Sequence, residues 1–72
     1  MSAVEPQSAF ADMRDTPEAA TYLGLSIPTL NRMRVQGDGP RFLKLGRRVR
    51  YRRVDLDEWL EARLVSSTSE AR

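Results

Sequence analysis

At 72 residues the chain has room for one small domain, and two Tyr, two Phe and one Trp allow only a thin core. It contains neither Cys nor His, which excludes a disulfide framework, thiolate or imidazole metal sites and the acid-base group most enzymes use near neutrality. The net charge is +2 and the longest apolar run is Ala9 to Ala11, far short of a membrane span or a signal-peptide core, so the expectation is a soluble cytoplasmic protein with no membrane partner.

Residues 1–14 mix Ser, Ala, Glu, Pro and Gln without sustained periodicity and read as a flexible tail, with Phe10 and Met13 available to dock on the domain. Thr16, Pro17 and Glu18 read as the start of a short helix. Thr16 supplies the capping hydroxyl, Pro17 sits where its missing N–H costs nothing, and Glu18 faces the positive end of the dipole. Gly24 ends that helix, and Leu25 alone separates it from Ser26, a second cap. A second helix is predicted over Ile27 to Gln36, ended by Gly37. Two helices joined so tightly make a helix-turn-helix.

After the turn-forming Gly37, Asp38, Gly39 and Pro40, the segments Phe42 to Leu45 and Val49 to Arg52 read as two short strands around Gly46, Arg47 and Arg48. The second alternates, with Val49 and Tyr51 on one face and Arg48, Arg50 and Arg52 on the other. The first does not, and its register stays open. A last helix is predicted from Asp55 as cap, with Glu58 reaching back and Val54 stapled against Trp59. Leu56, Trp59, Leu60 and Arg63 or Leu64 form its stripe. Residues 65–72 read as a second flexible tail, leaving 15–64 as a domain that is mostly α with a small β-hairpin.

The modest net charge hides a division along the chain. Residues 1–31 set Arg14 against Glu5, Asp12, Asp15 and Glu18, a net −3. Residues 32–53 set Arg32, Arg34, Arg41, Lys44, Arg47, Arg48, Arg50, Arg52 and Arg53 against Asp38 alone, a net +8. Residues 54–72 return to −3, with Arg63 and Arg72 against Asp55, Asp57, Glu58, Glu61 and Glu70. Such a block is either a solvated face or a polyanion site. Nearly all of it is Arg, whose fork grips phosphate and guanine bidentately, and few acids are interspersed, which favours nucleic acid.

On the second helix, 100° steps place Ile27, Leu30, Met33 and Arg34 on one side and Pro28, Thr29, Arg32 and Gln36 on the other, with Asn31 at the flank. The polar side is the candidate base-reading face: Arg32 suits guanine, Thr29 a base edge or thymine methyl, and Gln36 adenine. Ser26 at the helix N-terminus and the head of Arg34 suit phosphate. The hairpin, carrying Lys44, Arg47, Arg48, Arg50 and Arg52, suits the backbone or a narrow minor groove. A charged edge strand that resists aggregation is the plainer reading of the same residues.

Tyr22, Phe42, Tyr51 and Trp59 could form a stacking platform of the kind found in RNA-binding modules. With so few aromatics, they are expected in the core instead. Asp55, Asp57, Glu58 and Glu61 occupy cap and first-turn positions rather than an acid-base or cation site. Gly37, Asp38 and Gly39 follow a helix and open none, unlike a phosphate loop. No enzyme activity and no cofactor are expected.

The spacing of Ala20, Gly24, Leu30 and Met33 matches helix-turn-helix units. The run from Gly39 to Arg53, GPRFLKLGRRVRYRR, followed by Asp55 to Leu60, resembles the excisionase and AlpA-like branch of the MerR-type winged helix-turn-helix proteins. That resemblance spans about residues 13–64. It implies a recognition helix at Ile27 to Gln36 in the major groove and a wing at Gly46 to Val49 on the adjoining backbone or minor groove. It also implies cooperative head-to-tail binding to short direct repeats in double-stranded DNA, with DNA bending. The implied role is an excisionase, or recombination directionality factor, that assists an integrase in excising a bacterial or phage mobile element. A small transcription regulator using the same surface is the alternative. Met33 stands where relatives often carry Trp, and Asp15 where an apolar residue commonly precedes the first cap. No long dimerisation helix follows Leu64, so no small-molecule effector is expected.

Overall fold

The computed structural model describes residues 10–66; most of both expected tails, residues 1–9 and 67–72, lies outside the described residues. The elements run β1 (Met13–Arg14), α1 (Thr16–Leu23), α2 (Ile27–Gln36), β2 (Leu43–Leu45), β3 (Arg48–Arg52) and α3 (Arg53–Glu61). Three helices pack with a small antiparallel sheet of strand order β1-β3-β2, the architecture of a winged helix-turn-helix.

Helix α1 begins at Thr16, the expected cap, so its own cap lies one residue earlier. Asp15, not Thr16, is the N-cap: its carboxylate accepts from Glu18 N at 2.9 Å while the Glu18 carboxylate accepts from Asp15 N at 3.0 Å. The reciprocal pair satisfies two of the donors a helix leaves exposed at its start, which a lone hydroxyl cannot do. Asp15 is therefore the cap itself rather than an awkward residue preceding it. Gly24 ends α1 at φ 74°, and its N–H and that of Leu25 close back on the Ala20 carbonyl. The left-handed conformation suits glycine, and it turns the chain within three residues. Ser26 caps α2 as expected, accepting from Thr29 N.

The expected start of α3 is corrected more substantially. The helix begins at Arg53, its N-cap Arg52 makes no side-chain capping bond, and Asp55 lies inside the first turn, only 5% exposed. Its two oxygens accept from Arg52 Nε at 2.6 Å and Nη2 at 2.8 Å. A bidentate ion pair outweighs a neutral cap, so the carboxylate that resembles a capping residue serves the tertiary structure instead. Val54, now within the helix, is 42% exposed and does not act as a staple residue.

Pairing settles the first wing strand. Leu43 faces Arg50, Lys44 faces Val49 and Leu45 faces Arg48, joined across the two-residue turn of Gly46 and Arg47 with Gly46 at φ 66°. Directly paired residues share a sheet face. Leu43 and Leu45 therefore lie on the arginine side, and Lys44 on the side of Val49 and Tyr51. Met13 and Arg14, assigned to the tail from sequence, pair with Arg52 and Tyr51 as a third strand. Phe10 lies with its ring 4.9 Å from the Arg52 guanidinium.

Ala19, Ala20, Leu30, Tyr51 and Leu56 form the core, with Leu23 and Val49 packed against it. The small Ala pair lets α1 approach the other elements closely. Of the four aromatics expected in the core, only Tyr51 is fully buried. Tyr22 is at the surface, its hydroxyl donating to Asp57 and its ring under Arg14; Phe42 packs at the edge against Tyr51; Trp59 is half-buried beneath Arg63.

Candidate nucleic-acid interface

The exposure of α2 follows from its seating. Leu30 is fully buried, and Met33 and Arg34 beside it are half-buried. Pro28, Arg32, Val35 and Gln36 consequently face outward and are exposed, with Thr29 and Asn31 half-buried at the margins. The expected reading residues thus lie together on one helix. Val35 was missed: it is 85% exposed, the most exposed of the large hydrophobic residues among the described residues, and lies on that outward face beside Pro28. Its signal in the sequence is position alone, since 100° steps place it between Asn31 and Pro28, on the side of the helix away from Leu30.

The cations of the basic block separate into two populations. Arg52 is 16% exposed at its side chain and forks onto Asp55; Arg53 bonds Asp12 and Asp57, each at 2.9 Å. Arg41 lies 3.9 Å from Asp55. Arg34 donates to the Tyr51 hydroxyl at 3.0 Å and to Asn31 Oδ1 at 2.9 Å, with its head 5.8 Å from the Phe42 ring. It therefore bridges α2 to β3 instead of standing free for phosphate. Arg32, Lys44, Arg47 and Arg48 form no ion pair among the described residues, and Arg50 donates only to the adjacent Val49 carbonyl.

Unpaired positive charge is thus concentrated on the outward face of α2 and on the hairpin, while acidic partners neutralise the cations below. Of the expected wing residues, Lys44, Arg47, Arg48 and Arg50 lie on the hairpin without an ion pair among the described residues, Lys44 on the face opposite Arg48 and Arg50; Arg52, at the end of β3, is held by Asp55. Ser26 Oγ both accepts from Thr29 N and donates to Thr29 Oγ1, which leaves the Thr29 hydroxyl hydrogen free to donate at the exposed start of α2.

The same ion pairs account for the titration shifts. Hydrogen bonds from Arg52, reinforced by its charge and that of Arg41, hold the Asp55 carboxyl below the ordinary aspartate value despite burial. Asp12 is lowered by its bonds from Arg14 and Arg53. The Tyr22 hydroxyl is raised by its bond to Asp57, which a phenolate could not make. Among the described residues no group of three acidic side chains is placed to hold a metal ion, and no helix is long and apolar enough to cross a membrane.

A tight two-helix unit followed by a β-hairpin, with free cations on the second helix and the hairpin, defines a helix-turn-helix protein of the winged type. Residues 15–64 match the helix-turn-helix domain family, and the chain belongs to that family. Membership supports DNA binding, and domains of this kind are typically non-enzymatic. No curated protein matches the chain.

Proposed function

We propose that the chain is a sequence-specific DNA-binding and DNA-bending protein that places α2 in the major groove and the β2–β3 hairpin on the flanking backbone or minor groove. The observation that carries this reading is the division of the cations: among the described residues Arg32 on α2 and Lys44, Arg47, Arg48 and Arg50 on the hairpin lack acidic partners, whereas Arg52 and Arg53 are neutralised. Arg32 donates to guanine O6 and N7, with Pro28, Thr29, Asn31 and Gln36 lining the same groove. The hairpin cations and Ser26 meet phosphate, which positions the protein without selecting sequence. Arg34 positions α2 against the hairpin.

The biological role proposed is that of an excisionase acting with a separate recombinase, by arranging DNA through cooperative head-to-tail binding to short direct repeats. The likeness of residues 39–60 to that branch supports it. The exposed Glu58 and Glu61 of α3 offer the hairpin of a neighbouring protomer an opposite charge. Fragments of the source genome captured by the protein, sequenced beside those captured by Arg32→Ala, test the proposal. Enrichment of direct repeats next to an integrase gene is the expected result. Enrichment at scattered promoters would assign the surface to transcription regulation, and capture unaffected by Arg32→Ala would refute sequence-specific reading. Equal competition by A-form RNA would point to an RNA-binding module.

A further inference from the structure

We infer that Asn31 and Val35 form a thymine-reading pair on α2, with the polarity of the Asn31 amide set by Arg34. The inference rests on the proposed placement of α2 in the major groove and adds the base that this part of the helix selects.

The first observation is the Arg34 bond. A guanidinium carries donors only, so the amide atom 2.9 Å from Arg34 Nη2 must be the Asn31 oxygen. Arg34 is itself held by the Tyr51 hydroxyl at 3.0 Å, and Tyr51 is fully buried, so the bond has a rigid anchor. An asparagine that reads adenine uses its oxygen to accept from N6 and its nitrogen to donate to N7. Here the oxygen is engaged by Arg34, and the side chain offers its N–H donors. Thymine O4, guanine O6 and N7, and adenine N7 accept such donors; cytosine, with its N4 amine, does not.

The second observation is Val35. It lies four residues beyond Asn31, which places the two side chains one turn apart on neighbouring parts of the outward face, with Cβ atoms roughly 5–6 Å apart. Val35 is 85% exposed and contributes nothing to the core. An exposed branched hydrocarbon beside a hydrogen-bond donor matches one base edge in particular, because thymine alone sets a methyl group beside an acceptor in the major groove. Val35 thereby selects thymine among the three acceptor-bearing bases that the Asn31 donors admit.

The test uses the full chain and duplexes selected from a randomised pool, with each thymine of the selected site replaced in turn by deoxyuridine, which removes only the methyl group. The expected result is one thymine at which the replacement weakens wild-type binding about fourfold, the worth of one methyl withdrawn from water. Val35→Ala, at an exposed position that leaves the core intact, should bind the two duplexes alike. Asn31→Asp, which exchanges donor for acceptor, should move the selected base at that position or its neighbour from thymine toward cytosine. Equal wild-type affinity for every thymine and deoxyuridine pair, with Arg32-dependent selection retained, would overturn the thymine reading and leave DNA reading intact. An unchanged base preference in Asn31→Asp would overturn the role of the amide. Absence of any Arg32-dependent selection would overturn both the pair and the DNA reading on which it rests.

Discussion

The salt dependence of DNA binding discriminates between the charge seen in the sequence and the charge available in the folded protein. Residues 32–53 contain nine cationic side chains, and if all of them met phosphate, log affinity would fall against log salt with a slope of about −8. The structure removes several from that count. Arg52 and Arg53 are committed to Asp55, Asp12 and Asp57, Arg34 to Tyr51 and Asn31, and Arg41 approaches Asp55. Arg32, Lys44, Arg47, Arg48 and Arg50 remain, and five neutralised phosphates give a slope of about −4.5 per protomer. Between roughly 50 and 200 mM salt, affinity should then fall about 500-fold. Fluorescence anisotropy of a labelled duplex across a potassium chloride series measures this directly. Removing one free cation, as in Arg48→Ala, should reduce the slope by about 0.9. A slope near −8 would show that DNA pulls Arg52 and Arg53 from their carboxylates. A slope near zero would refute the basic surface altogether.

Four further outcomes follow from the same structure. Arg32→Ala should cost about 1–3 kcal/mol on a selected site and little on random duplex, whereas Arg48→Ala should weaken both alike; parallel anisotropy titrations on the two DNAs compare them. Leu30→Ala, at a fully buried position, should destabilise by about 2–5 kcal/mol. That is comparable with the whole stability of so small a domain, so the circular-dichroism melt should lose most of its cooperative transition. Because the Asp55 carboxyl is held below its ordinary value, the stability it contributes is present above about pH 4, where the unfolded group is ionised, and is lost as pH falls through the lower folded value. Denaturant melts should show Asp55→Asn less stable than wild type at neutral pH, with the difference shrinking in acid. DNA affinity itself should stay level between about pH 6 and 8, since arginine remains charged and the chain has no histidine.

Much of the architecture was legible because it depends on residues close together in the chain. Gly24 and Gly37 punctuate the helices at positive φ, Ser26 caps α2, and Gly46 turns the wing, though Arg48, expected in that turn, belongs to β3. Each is a local matter of backbone sterics or a neighbouring N–H. The bounds of α2 and the outward placement of Pro28, Arg32 and Gln36 follow from the same local periodicity. The Asp15–Glu18 box is equally local, yet the Thr16 hydroxyl beside Pro17 is a competing signal of the same range and points to Thr16 as the cap instead.

What required the folded chain were the groups whose partners lie across it or whose local signal admitted two uses. Asp55 has the sequence signature of a cap, yet the fold turns Arg52 onto it and α3 starts three residues earlier than that cap would allow. Met13 and Arg14 have no periodicity of their own, and only an open edge of β3 makes them a strand. Leu43 and Leu45 sit beside arginines because cross-strand pairing, not hydropathy, sets the register of a three-residue strand. The sequence by itself therefore determined the two-helix unit, the hairpin and the basic character of both, through turn chemistry and local charge. Tertiary structure decided which of those charges are free to meet DNA, because an arginine's availability depends on whether packing brings a carboxylate or a buried hydroxyl within reach.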